Sequence, residues 1–123
     1  MVPTEVKLHQ ISGVLELVYE TGQIFNLRAE YLRVYSPSAE VQGHSADQKV
    51  LQYGKKEVKI ENLIPQGHYA IRIEFSDGHD TGIFSWQYLF ELGRYQDEKW
   101  RSYLEELEHS GKSREPQFIA VGR

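Results

Sequence analysis

The apolar residues of this chain follow two spacings in turn, the period of two that suits strands and the period near 3.6 that suits helices. Val6 and Leu8 alternate with Lys7 and His9, and after a Ser12-Gly13 turn signal residues 14–19 read Val-Leu-Glu-Leu-Val-Tyr. Thr21-Gly22 then separates that run from Ile24-Phe25-Asn26-Leu27. Short β-branched and aromatic runs between turns predict a small antiparallel meander. A short helix is expected over residues 29–35, with Leu32 and Tyr35 on one face, ended by Ser36-Pro37 because a residue before proline avoids the α region. In residues 36–44 Ser36 can cap, Pro37 suits a first helical position and Gly43 suits a C-terminal cap, which predicts one helical turn. Residues 45–54 have no strong period and read as loop.

Val58 and Ile60 resume the strand period, Pro65-Gln66-Gly67 predicts a turn, and Tyr69, Ile71, Ile73 and Phe75 alternate with polar neighbours. Asp77-Gly78 predicts a two-residue type I′ hairpin leading into a partner strand over residues 79–84. Helical spacing then returns. Ser85 reads as an N-cap, Trp86, Leu89 and Phe90 share a face, and Gly93 is expected to stop the helix. A second helix over residues 95–108 would carry Trp100, Tyr103, Leu104 and Leu107 on one face. From Gly111 the sequence is polar and basic and ends Phe118-Ile119-Ala120-Val121-Gly122-Arg123. The expected fold is α+β: small antiparallel hairpin sheets, a short helix after the first meander and two C-terminal helices. Residues 1–110 form the expected domain and residues 111–123 a loosely held tail.

Composition narrows the function classes. A chain of 123 residues fits one domain. It has no cysteine, which excludes disulfides, a cysteine nucleophile and thiolate-bound metal. The net charge of −4, from 14 basic and 18 acidic residues, argues against general nucleic-acid binding. Lys55, Lys56 and Lys59 read as a solvated strand edge. No apolar run approaches the roughly 20 residues that span a bilayer, and the first residues lack a signal-peptide core, so a cytoplasmic location is expected.

Two stretches resemble a known family. Residues 31–41, Tyr-Leu-Arg-Val-Tyr-Ser-Pro-Ser-Ala-Glu-Val, and residues 71–89, Ile-Arg-Ile-Glu-Phe-Ser-Asp-Gly-His-Asp-Thr-Gly-Ile-Phe-Ser-Trp-Gln-Tyr-Leu, are similar to the gamma-butyrobetaine hydroxylase-like N-terminal domain, over about residues 6 to 93. In the hydroxylase, the resemblance implies, this domain precedes an Fe(II)/2-oxoglutarate barrel whose facial triad does the chemistry. Nothing in this chain corresponds to that barrel. The resemblance also implies a zinc held by three cysteines and one histidine. Those cysteines fall on Ser36, Ser38 and Val41 and the histidine on His79, so that zinc site is not preserved. The Ser-Pro-Ser-Ala-Glu-Val version resembles the stand-alone bacterial branch of the family. Related domains are fused to P-loop ATPase scaffolds of iron–sulfur assembly, which makes such a scaffold the partner that the resemblance implies; this chain has no Gly-rich phosphate loop of its own.

If the hairpin faces the 36–44 loop as in the zinc-bearing relative, Glu40, His44, His79 and Asp80 gather beside Asp77. Two imidazoles and two carboxylates suit iron, zinc or manganese, and Glu40 and His44 are four residues apart, as one helical face requires. The plainer reading carries more weight: Asp77 and Asp80 as turn residues, Glu40 and His44 as a solvated pair, His79 capping the hairpin. Arg33, Ser36, Ser38 and Asp77 form a second candidate surface for a ligand or partner. Arg33 with Tyr31 and Tyr35 either meets an anion or packs a short helix. Ser36 and Ser38 show no histidine–acid pairing for nucleophilic catalysis. Trp86, Tyr88, Phe90 and Trp100 at helical spacing read as core before they read as a recognition surface. His9, His68 and His109 read as surface groups. The expectation is therefore a non-catalytic binding or adaptor domain connected to iron or iron–sulfur metabolism through its family, with a metal-binding protein as the alternative and no enzyme.

Overall fold

The structure, a computed structural model, describes residues 1–116. Strands β1 (Glu5–His9), β2 (Val14–Val18) and β3 (Ile24–Arg28) form an antiparallel meander in that order. Its register sets Val6 opposite Leu17 and Leu8 opposite Leu15, and then Leu15 opposite Leu27 and Leu17 opposite Phe25. Because side chains alternate across a strand, this pairing puts Val6, Leu8, Leu15, Leu17, Phe25 and Leu27 on one face, the one that the core covers. Helix α1 (Ala29–Val34) follows without a break and is buried over its whole length, Glu30 and Arg33 included. A single turn, α2 (Ala39–Gln42), comes next, then a 3-10 turn at Ala46–Gln48 and irregular chain.

The second sheet contains β4 (Ile60–Gln66), β5 (Ala70–Phe75) and β6 (Gly82–Ser85), again antiparallel and in that order. Helices α3 (Trp86–Arg94) and α4 (Gln96–Ser110) complete the chain. Helix α3 packs against β3 of one sheet and β6 of the other, so one core joins both sheets. Leu15, Leu17, Leu27, Leu32, Ile73, Phe84, Leu89 and Leu92 are its fully buried members. Each contributes about 1.5–3 kcal/mol through removal of its side chain from water.

The α+β fold matches the sequence reading, and its boundaries differ where a neighbour overrides local preference. Pro65 lies within β4, opposite Ile71, rather than in a turn. β4 is an edge strand, the one kind of sheet position that tolerates a residue with no N–H to donate. The turn falls instead at Gly67, at φ 56°, leaving Tyr69 exposed in the turn instead of on the inner face. Gly93 does not stop α3. It lies inside the helix against Phe25, and a Cβ placed there would come 2.2 Å from the Phe25 ring. Ser38 rather than Ser36 precedes α2, while Gly43 ends it at φ 66° as expected. Leu104 is exposed, so the α4 stripe narrows to Trp100, Tyr103 and Leu107. Trp86, Tyr88, Phe90 and Trp100 all pack against the core.

Four tyrosine hydroxyls tie the helices to distant backbone. Tyr31 donates to the Leu92 carbonyl at 2.6 Å, Tyr35 to Lys99 at 2.6 Å, Tyr88 to Tyr35 at 2.5 Å and Tyr103 to Gln52 at 2.8 Å. Burial raises their pKa values, to about 12 for Tyr35 and Tyr88, so the hydroxyls keep these protons at any physiological pH. Of the segment expected to be a loose tail, Ser113 and Arg114 accept backbone hydrogen bonds from Gly54 and Lys56; Phe118 to Arg123 lie outside the described residues.

Candidate functional site

The 36–38 loop and the β5–β6 hairpin do meet. The hairpin connection is three residues, Ser76-Asp77-Gly78, closed by Gly78 N–H to the Phe75 carbonyl at 3.1 Å and Phe75 N–H to the His79 carbonyl at 2.9 Å. Gly78 alone in it has positive φ, 88°, so this is not the type I′ turn, which needs positive φ at both central residues. The extra residue turns His79 inward, where its side chain is 2% exposed. On the other side, the end of α1 is held by Tyr88 on the Tyr35 carbonyl and by Gln42 Nε2, which donates to the Ser36 carbonyl at 2.9 Å.

Between them, His79 Nε2 lies 2.8 Å from Ser36 Oγ and 3.3 Å from Ser38 Oγ. On the opposite edge of the ring, Nδ1 is 3.7 Å from Glu40 Oε2, while Glu40 Oε1 accepts a hydrogen bond from Thr81 Oγ1 at 2.7 Å. Ser36 approaches this closely because Gly82 has no side chain: a Cβ there would come 2.4 Å from Ser36 Oγ. Burial, with the nearby Arg33 charge adding to it, lowers the His79 pKa against the smaller opposing influence of Glu40 and Asp77. The ring is therefore neutral at pH 7, with one N–H and one acceptor nitrogen to share among its neighbours.

A serine, a histidine and a carboxylate in that order correct the expectation that Ser36 has no histidine–acid pairing. The arrangement still lacks what nucleophilic catalysis needs. Ser36 is fully buried, Gly82 closes over its hydroxyl, and the Glu40 to Nδ1 distance exceeds hydrogen-bond reach. Nor does the set fit zinc. The positions that the resemblance gives to three thiolates carry two neutral hydroxyls and the buried isopropyl group of Val41, leaving His79 as the one strong ligand. Glu40 is beside His79, but His44 is exposed, with its backbone N–H on Gln48 Oε1, and Asp80 is exposed, with its carbonyl accepting from Arg72. Among the described residues no three His, Cys, Asp or Glu side chains come together as a metal would need.

A charge cluster flanks this joint. Asp77 Oδ2 accepts from Arg33 Nε at 2.8 Å and from Lys55 Nζ at 2.7 Å, Asp77 Oδ1 accepts from the His79 N–H at 3.3 Å, and Arg33 also donates to Gln52 Oε1 at 3.0 Å. Burial is the largest single influence on Asp77 and pushes its pKa up, yet the Lys55 hydrogen bond, the Arg33 charge and hydrogen bond and the His79 N–H together outweigh it and hold the carboxyl below its ordinary value. The anion that Arg33 meets is thus Asp77, and Lys55 belongs to this cluster rather than to a solvated edge. Lys55, Gln52, Thr81 and Gly82 carried no sequence signal for the site; Gly78 marked the turn by its backbone conformation, and only Gly82 marks a close approach, that of Ser36.

The comparisons with known proteins agree with this architecture. The family model for the gamma-butyrobetaine hydroxylase-like N-terminal domain matches residues 6–90. Two proteins with NMR solution structures are 46% and 45% identical, with TM-scores of 0.82 and 0.79; each alignment covers 99% of this chain, and 96% and 92% of the respective relative. The crystal structure of a protein of unknown function from Acidithiobacillus ferrooxidans, of the DUF971 family, is 38% identical with a TM-score of 0.62, over 74% of this chain and 91% of that one. A comparison with curated proteins found none that matches. No helix among the described residues is long and apolar enough to cross a membrane. Because the family model covers residues 6–90, most of its length, the chain belongs to the gamma-butyrobetaine hydroxylase-like N-terminal domain family.

Proposed function

We propose that this domain is a non-catalytic binding module, an adaptor whose partner is a protein. The observation that supports it most is the closure of its most reactive cluster: Ser36 is 0% exposed, and the His79 side chain lies against it with both ring nitrogens facing groups of the same chain. A histidine used in this way fixes the 36–38 loop to the hairpin, the joint that the resemblance assigns to zinc in the hydroxylase domain. The partner class carried in this proposal is the iron–sulfur assembly scaffold that the resemblance implies, and with it a role in iron metabolism by family analogy alone.

The test has two arms on the full chain. Crosslinking in the native host is expected to recover one protein repeatedly, and recovery of no specific partner under repeated conditions would overturn the adaptor reading. Elemental analysis of anaerobically purified protein is expected to find no stoichiometric iron, zinc or manganese. A stoichiometric metal that is lost in His79→Ala would replace the adaptor reading with a metal-binding one.

A further inference from the structure

Helix α1 buries two charged residues, and each has a partner from far along the chain. Arg33 takes Asp77. Glu30, its side chain 6% exposed, takes Arg114 in a two-point contact, with Nε to Oε2 at 2.9 Å and Nη2 to Oε1 at 2.7 Å. The Arg114 guanidinium also lies over the Trp100 ring, 5.2 Å from its centre. A carboxylate presenting both oxygens beside an indole face matches a planar guanidinium better than an ammonium point charge.

The rest of the 112–115 segment is seated as an added peptide would be. Gly54 N–H donates to the Ser113 carbonyl at 2.9 Å and Lys56 N–H to the Arg114 carbonyl at 3.0 Å. Lys112 Nζ lies over the Tyr53 ring at 4.7 Å, and Lys56 Nζ pairs with Glu115 at 3.0 Å. Apart from Arg114, these residues are exposed and bury little apolar surface, so lifting the segment leaves the core intact. It would also leave the buried Glu30 carboxylate without its cation, which is unfavourable. A replacement cation of the same shape would therefore favour the departure of Arg114. Room exists next to it, in a cavity of about 160 Å³ that Glu30, Tyr31 and Trp100 line together with Arg28, Gln96 and Asp97.

We propose that Glu30 and Trp100 form a guanidinium-binding site that the chain fills with its own Arg114, and that an arginine on an extended segment of a partner protein takes this place by exchange with the 112–115 strap. The site is separate from the His79 joint and does not depend on the reading given to it.

Two titrations of the full chain test it, with the Trp100 indole N–H resonance as the probe, assigned by comparison with Trp86→Phe. In Arg114→Ala, ethylguanidinium is expected to return that resonance toward its position in the unaltered chain, saturably, while ethylammonium does not, and adding Glu30→Gln abolishes the response. Equal effects of the two cations, or no saturable effect of either, would overturn the site. A labelled peptide Lys-Ser-Arg-Glu-Pro, the sequence of residues 112–116, is expected to bind Arg114→Ala at least about tenfold more tightly than the unaltered chain, because the strap no longer competes. The same affinity for both chains, or for a peptide with lysine in place of arginine, would overturn the exchange. Should Arg114→Ala fail to fold, Arg114→Lys keeps a cation beside Glu30, and the same two readouts and the same overturning results apply.

Discussion

His79 has a polar neighbour at each edge of its ring, and pH is the variable that acts on it directly. Its pKa in the folded domain is lowered from the ordinary 6.5 chiefly by burial and then by Arg33. Between the folded and unfolded values the unfolded chain binds a proton that the folded chain does not, so stability rises with pH in that interval. The contribution is complete above about pH 6.5 and is lost progressively below it, down to the folded pKa. Denaturant midpoints measured from pH 8 to pH 5 should therefore fall toward acid. The fall should be smaller in His79→Gln, which keeps a polar atom near Ser36 but does not titrate. Identical pH profiles for the two proteins would remove His79 from the joint. At this scale the sequence was partly legible. The Asp77-Gly78-His79 string marked the hairpin, but the meeting with Ser36 and Ser38 followed from family resemblance, since no period or spacing connects residues 43 positions apart. The same limit hid Arg114 on Glu30, 84 positions apart, and the tyrosine hydroxyls on backbone carbonyls.

At the level of elements, local signals placed the six strands and four α-helices among the described residues but misjudged what the punctuating residues were for. Gly93 is the clearest example. By propensity a glycine near the end of a helix suggests a stop, and replacing it inside a helix with alanine should gain up to about 1 kcal/mol. Here α3 passes so close to β3 that an added Cβ would come 2.4 Å from Phe25 Cγ, an atom near the backbone that cannot swing clear as a side-chain tip would. Overpacking of this kind costs about 1–3 kcal/mol, which outweighs the propensity gain. Gly93→Ala is thus expected to lower the unfolding free energy, and Gly93→Ala combined with Phe25→Leu to recover part of the loss. A more stable Gly93→Ala protein would show that α3 can shift away from the first sheet at little cost. Pro65 and Gly82 carry the same lesson. Pro65 reads as turn chemistry in isolation and is fitted to a sheet edge, while Gly82 reads as one more strand position and is fitted to the approach of Ser36.

For the whole molecule, the question is whether two separate three-stranded sheets behave as one folding unit. Neither sheet pairs with the other through a ladder, and a three-stranded sheet with a single apolar face needs something to cover it. Helix α3 supplies that cover to both, with Leu89 and Leu92 fully buried, while Tyr31 and Tyr88 tie it to α1 and Arg33 ties α1 to the β5–β6 hairpin. Removing apolar volume from either sheet should then be felt everywhere. Leu17→Ala in β2 and Ile73→Ala in β5 both replace fully buried side chains, and each should cost about 2–5 kcal/mol. In a domain of this size that corresponds to a fall of about 10 °C or more in Tm. The expected result is one transition in both variants, coincident when followed by far-ultraviolet circular dichroism and by tryptophan fluorescence. Two separated transitions, or a variant in which the resonances of one sheet disappear while those of the other stay folded, would mean that the sheets are independent units. Joint cooperativity is also what a sealed His79 cluster requires, because its serines come from the chain leaving α1 and its histidine from the second sheet. The joint can exist only while both halves are folded.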